Sequence, residues 1–471
     1  MENFWDFNVW GGVLLFAVLF IALLVANLVK RSIPFLQKSL IPTSVLAGLM
    51  ILIVAGVYRL IAKEALFDAA FFGGNGFANL EIITYHTLAL GFIATTFKAT
   101  EGKHSKKRTV EIFNTGVTTV STYLIQGAVG IAITMIAALV ITDFFPASGI
   151  LLPFGYGQGT GQAMNYGNIY EQDWGFVGGK SFGLTIAAMG FISAAFGGVI
   201  HLNLLKRRGK LKLASESAEV IKSEDVQSNK EIPMQEGMDK MTVQVSLIAL
   251  AYFITYLLML GLGKLIPGMR SVIYGFNFLL GVLSATLVKF VFNFLYKKGV
   301  MKKKHINDFL MTRNSNFFFD IMVVAGIAAI RLDLVEKYWG ILVILGVAGL
   351  VITYAYNRFV AKTLFKEYSE EQFMVMYGML TGTASTGIIL LREIDGDFKT
   401  PAADNLVYQN FPAIVFGFPM MLLATLAPKN PTLTLIILAA FFLVMNVILF
   451  RSFIFGRRKK NGAANTEETE D

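Results

Sequence analysis

Apolar residues in this chain come in long unbroken runs, not in the alternation of a strand or the stripe of a soluble helix. Such runs lie near 9–29, 43–62, 82–98, 112–141, 176–204, 242–261, 271–296, 316–331, 338–357, 405–427 and 431–450. Most reach the roughly 20 residues that a helix needs to cross a bilayer. They are too long and too evenly apolar for barrel strands, which alternate over about 10 residues. A polar segment, 206–241, divides the chain. Two further stretches break the pattern. Residues 146–175 are Gly-rich and interrupted by Pro146, Pro153, Glu171 and Asp173, and residues 373–404 carry many hydroxyls and then Arg392, Glu393, Asp395 and Asp397. The first apolar run follows Glu2 and Asp6 instead of a basic segment, which predicts a retained span, not a cleaved signal.

Composition agrees. Of 471 residues, 55% are hydrophobic and 15% charged, against about 25% charged in a soluble domain. The chain has no cysteine, which excludes a disulfide scaffold, thiol chemistry and a Cys-ligated metal. No two histidines have ligand spacing, and no P-loop is present, since Gly178-Gly179-Lys180-Ser181 carries only the end of one. An enzyme and an ATP-driven pump are therefore not expected.

The net charge of +9 becomes informative once it is placed along the chain. With the N-terminus outside, the segments expected inside hold thirty Lys and Arg and the outer loops seven. Lys and Arg favour the cytoplasmic side, so this bias sets the orientation and leaves no need for a nucleic-acid partner. The bias stays consistent only if 146–175 enters and leaves from outside and 373–404 from inside. Each half then holds four spans, a re-entrant segment and a fifth span, and the two halves run in opposite senses. The expected fold is an all-α polytopic membrane protein with two inverted-topology halves. Each half has about five transmembrane helices plus a re-entrant hairpin, and one extra C-terminal helix follows. The halves are 1–205 and 242–456, joined by the 206–241 linker and followed by a disordered cytoplasmic tail over 457–471.

A motif recurs at the same place in both halves. Gly155-Tyr156-Gly157-Gln158-Gly159-Thr160-Gly161 and Gly378-Met379-Leu380-Thr381-Gly382-Thr383-Ala384 both read G-x-x-x-G-T-small. Irregular backbone is tolerated at membrane depth only where protein or a watery cavity surrounds it. Interrupted segments at matching places in inverted halves point to a transporter's binding site. A half-helix N-terminus offers unpaired N–H groups to a carboxylate, and exposed carbonyls can hold a cation. The candidate substrate residues are Gln158, Gly159, Thr160, Gly161, Gln162 and Asn165 in the first break and Thr383, Ser385 and Thr386 in the second. Their other reading is capping of broken helix ends. Arg392 is a candidate carboxylate clamp, or else a loop partner of Glu393, Asp395 and Asp397; Lys180 is a competing clamp or a snorkelling residue. Candidate ion ligands are Gly157, Thr381, Gly382, Asn405, Asn410 and Asp320. Gly155-Tyr156-Gly157 also matches part of a potassium filter, but no Thr-Val precedes it and the second half has no copy.

At these motifs the chain resembles the bacterial glutamate:sodium symporter family. Besides Gly155–Ala163, the resemblance rests on Phe182-Gly183-Leu184, Gly197-Gly198 and Gly91-Phe92-Ile93-Ala94, and it spans about 10–205 and 242–428. It implies sodium-coupled uptake of glutamate or a similar carboxylated amino acid across a bacterial inner membrane. It also implies alternating access by one substrate-carrying domain against a scaffold, and a homodimer, with sodium as coupling ion and no other cofactor. The second motif departs from the family's pattern, so another organic anion coupled to sodium or protons stays open, as does an ion channel.

Overall fold

The computed structural model describes residues 3–37, 39–98, 105–209, 226, 230–234, 237–395 and 399–454, apart from the side chains of Ser385 and Phe411. The expected tail over 457–471 and residues 210–225 and 227–229 of the polar segment lie outside the described residues. Among the described residues the protein is all-α, with a single isolated bridge between Glu231 and Lys304.

The chain begins with α1 (Phe7–Ser32), α2 (Thr43–Ala62), α3 (Gly76–Phe97) and α4 (Lys106–Val140). A short 3-10 turn leads into α5 (Leu151–Trp174), which is broken at Gly159, and α6 (Gly179–Arg207) follows. Beyond the polar segment come α7 (Lys240–Leu265), α8 (Asn277–Lys297), α9 (Asp308–Ala328) and α10 (Trp339–Leu364). Two short helices, α11 (Ser369–Thr381) and α12 (Ala384–Arg392), flank Gly382. The chain then forms α13 (Ala402–Tyr408), α14 (Asn410–Leu426) and α15 (Pro431–Leu449).

Nine helices among the described residues are long and apolar enough to cross a membrane, and the bent pair α13–α14 makes a tenth. The protein is thus a multi-pass membrane protein. The eleventh expected span corresponds to α9, which is as long but less apolar. It starts at Asp308, eight residues before the apolar run, because polar residues of its first turns are buried against α3. The Ser315 hydroxyl lies 2.6 Å from that of Thr95 and donates to the Gly91 carbonyl at 3.3 Å.

Local chemistry sets the helix ends. Ser105 accepts from the Arg108 N–H to start α4, Asp239 accepts from Met241 and Thr242 to start α7, and Asn307 accepts from Leu310 to start α9. Asn430 caps α15, whose first residue is Pro431. Lys30 and Arg31 close α1 where the helix dipole is negative.

Packing follows a reciprocal pattern. The helix α3 lies against α9; α2 lies on α9, and α8 lies on α3. Likewise α4 meets α14 while α10 meets α6, and α4 touches α5 while α10 touches α11. The last helix, α15, covers α4, with Leu438 beside Gly127 and Asn446 accepting from Tyr356 at 2.9 Å.

Both broken segments fold back as hairpins along α6. In α5, the space beside Gly155 is taken by Ile186 and Ala187, that beside Gly183 by Ala163, and that beside Gly167 by Gly179. The segment therefore approaches the middle of α6 and returns towards its start. From the other end, Gly197 faces Tyr377, Gly190 faces the Thr381 carbonyl, and Gly198 faces Leu390.

Candidate functional site: two facing helix breaks

Two breaks define the site. Gly159 sits at φ 80°, ψ −170°, a conformation reserved in practice for glycine, and the helix restarts at Thr160. Gly382 adopts φ −150°, ψ −105°, and α12 restarts after the extended Thr383. The breaks face one another: a Cβ added to Gly159 would lie 3.4 Å from Thr383 Cγ2 and 3.9 Å from the Gly382 carbonyl oxygen. Two helix N-termini, those of residues 160–174 and of α12, therefore open near the same place, with their unpaired N–H groups and positive dipole ends.

Side chains from neighbouring helices hold this geometry. Thr160 is fully buried and donates to the Met322 carbonyl of α9 at 3.2 Å, with Gly326 making room for it. Gly161 lies against Leu88 of α3 and Met322. Tyr123 of α4 donates to the Gly157 carbonyl at 3.0 Å. Tyr156 reaches Ser193 at 2.9 Å and the Gly346 carbonyl at 2.5 Å. At the second break, Gln126 of α4 donates to the Leu380 carbonyl at 3.0 Å and to Thr353 of α10 at 2.7 Å.

Most of the residues expected in the first break meet there. Gln158 is half-buried at the turn. Gln162 is fully buried and its Oε1 accepts from Asn165 at 3.3 Å, while its Nε2 has no protein partner. Asn165 also donates to the Gly275 carbonyl at 3.1 Å. In the second break, Thr383 is half-buried with its hydroxyl 3.4 Å from that of the buried Thr386. Thr381 donates back to the Tyr377 carbonyl at 2.6 Å, the ordinary habit of a helical hydroxyl. The Ser385 side chain lies outside the described residues.

Four expected residues are not at the breaks. Arg392 ends α12 and is exposed. Eight residues of helix at about 1.5 Å rise place its Cα about 12 Å from the start of α12. Asn405 is buried near the start of α11, donating to Tyr368 at 2.9 Å and Gln372 at 3.0 Å. Asn410 is exposed at the start of α14 and accepts from Gln409. Asp320 is exposed on α9, with Ser44 of α2 as a polar neighbour. In each case the polar residue serves a helix end or an interhelical contact.

Lys180 is paired. Its Nζ lies 2.7 Å from Glu81 of α3 and 3.9 Å from Glu171, and its backbone N–H donates to Glu171. A matching cluster stands at the other end of α6, where His201 and Arg358 both contact Glu370. Lys180→Met leaves two part-buried carboxylates facing each other and is expected to cost about 1–3 kcal/mol. Thermal melting of the detergent-purified protein checks this. Glu81→Gln added to Lys180→Met should recover part of the loss, and a double variant no more stable than the single one would contradict the pairing.

Sequence reasoning missed a row of polar residues on α4. Thr115, Thr118, Thr119, Thr122 and Gln126 are all buried. Thr119 donates to Gln409 at 2.9 Å, Gln372 to Thr115 at 3.2 Å, and Asn357 to Thr122 at 3.4 Å. The spacing 115, 118, 119, 122, 126 keeps one helical face and could have been read as a polar stripe inside an apolar span.

Among the described residues no group of three His, Cys, Asp or Glu could hold a metal ion. No family model matches the sequence, and no curated protein matches it.

Proposed function

We propose that the protein is a secondary active transporter that couples sodium entry to uptake of glutamate or a similar carboxylated amino acid. The observation that carries this reading is the pair of facing breaks at Gly159 and Gly382. Each supplies a helix N-terminus suited to a carboxylate, so a dicarboxylate would find two positive ends in one place. Gln158, Thr160, Gln162, Thr383 and Thr386 would add neutral donors around it. No covalent chemistry is part of the proposal.

The packing supports two inverted halves. Exchanging α2 with α8, α3 with α9, α4 with α10 and α6 with α14 carries the α2–α9 contact onto α8–α3 and the α4–α14 contact onto α10–α6, whereas the packing of α5 on α6 has no comparable counterpart on α14. The hairpins approach the middle of α6 from its opposite ends, as re-entrant segments from the two faces of a membrane would. In the orientation favoured by Lys and Arg, the N-terminus is outside and α5 enters from there. The proposed setting is a bacterial inner membrane, with a homodimer as the working unit. Access alternates as the two hairpins, carried on α6, move relative to α3 and α9.

Uptake into proteoliposomes tests the reading. Radiolabelled glutamate is offered with an inward sodium gradient, an inward proton gradient or neither. Accumulation above equilibrium with sodium alone is expected. Accumulation driven only by protons would overturn sodium coupling, and large passive ion currents without accumulation under any gradient would overturn the transporter itself.

A further inference from the structure

A second polar site lies beside the breaks, in the seam between α4 and α10. Gln126 is fully buried and Asn357 is 2% exposed. The amide nitrogens of both are engaged. Gln126 Nε2 donates to Thr353 Oγ1 and the Leu380 carbonyl, at 2.7 and 3.0 Å. Asn357 Nδ2 donates to the Thr353 carbonyl at 2.9 Å and to Thr122 Oγ1 at 3.4 Å. These bonds fix which way each amide faces, because a flipped amide would set its oxygen against the Leu380 or Thr353 carbonyl. Both amide oxygens, Gln126 Oε1 and Asn357 Oδ1, are left buried without a donor. Buried acceptors are ordinarily satisfied, and two unsatisfied oxygens on amides whose nitrogens both bond Thr353 call for a positive partner.

The surroundings specify that partner. The four side chains of the seam, Thr122, Gln126, Thr353 and Asn357, are neutral and present oxygens. Hard oxygen ligands suit an alkali or alkaline-earth cation, whereas a divalent ion in such a dry place needs carboxylates to offset its charge. The C-terminus of α11 adds a second, independent attraction. Leu380 lies in its last turn, beside the Gly382 break, where the carbonyls point out and the helix dipole is negative.

We infer that the Gln126–Asn357 seam binds a monovalent cation of sodium size, with the Gln126 and Asn357 amide oxygens as ligands beside the C-terminus of α11. The break then has two polarities. The end of α11 faces the cation, and the start of α12 faces the carboxylate. A cation at the first steadies the break that presents the second, so cation and anion favour each other's binding. In this role the site rests on the transport reading given above; as a binding site it stands alone.

The test is saturable binding of radioactive sodium ion to the purified full-length protein, displaced by NaCl with choline chloride holding the ionic strength. Saturable binding to the unmodified protein is expected, and its absence overturns the site. Asn357→Leu and Gln126→Met keep side-chain volume and remove the oxygens. Each is expected to raise the half-saturating sodium at least tenfold, and unchanged half-saturation in both overturns the site. Should both variants fail to fold, Asn357→Asp decides alone. A carboxylate among the ligands tightens sodium binding at least threefold, and unchanged or weaker binding overturns the proposal. Glutamate uptake on the same preparations separates the two ideas. Sodium-independent uptake with binding lost in Asn357→Leu removes the coupling role and leaves the site. Sodium-driven uptake with unaltered binding in the variants removes the site and leaves the coupling.

Discussion

Gly159→Ala is expected to lower substrate uptake at least tenfold while the protein still inserts and purifies. The reason is conformational. At φ 80°, ψ −170° any side chain costs about 1–3 kcal/mol. The added Cβ itself would meet Thr383 Cγ2 at 3.4 Å, which is ordinary contact, so the strain lies in the backbone and not in crowding. Relief of that strain rotates the Gly159–Thr160 peptide and turns the N–H groups of the restarting helix away from the facing break. One residue of altered backbone thus removes half of the proposed anion cradle. The control is Gly12→Ala, on the first helix, where a Cβ would meet nothing within 4 Å. Uptake by proteoliposomes, normalised to protein content, reads the difference. Wild-type uptake in Gly159→Ala would remove the break from the transport site.

Gly149→Ala is expected to destabilise the whole fold. A Cβ there would overlap the Gly130 carbonyl of α4, and the reverse holds for a Cβ on Gly130. Both sides of this contact are backbone, so no side chain can swing aside. The turn before α5 would have to lift from α4 and lose two hydrogen bonds of Thr134. One is its donation to the Pro146 carbonyl at 2.6 Å, and the other is its acceptance from the Gly149 N–H at 3.1 Å. Overpacking of about 1–3 kcal/mol and the broken bonds together come to roughly 3 kcal/mol or more. A fall in melting temperature of about 3 °C corresponds to that loss in a chain of this length. Gly268→Ala, where a Cβ meets nothing within 4 Å, serves as the comparison, and equal melting temperatures for the two would refute the packing argument.

The spans were legible because lipid imposes one simple demand on a helix surface. The expected run 43–62 coincides with α2, and 431–450 ends one residue beyond α15. The pattern fails where burial inside protein replaces lipid. The start of α9 is polar because Asn314 and Ser315 are buried among neighbouring helices, and no hydropathy run reports that. The positions of the breaks were legible from glycine and threonine in matching motifs. What closes around them was not. Thr122, Gln126, Thr353 and Asn357 lie on two helices far apart in the chain, and only packing brings them together. The place of Arg392 was hidden for the same reason. Its charge beside an apolar run suggested use, but its place at the end of a nine-residue helix sets it away from the breaks.

The glycines of α6 that seat the hairpins, Gly183, Gly190 and Gly197, recur every seven residues and so share one face. Each opens a hollow on α6 that a hairpin group enters: the Ala163 backbone at Gly183, Tyr156 and the Thr381 carbonyl at Gly190, and the Tyr377 ring at Gly197. Rings set in such hollows resist sliding as well as separation. Hydrogen bonds pin the middle of α6, where Tyr156 and Tyr377 both reach Ser193, and ion pairs add to this at the two ends, at Lys180 and His201. The helix is a beam carrying two brackets, bolted at its middle as well as at its ends. A beam fastened in this way sets the spacing of the two tips by its own length.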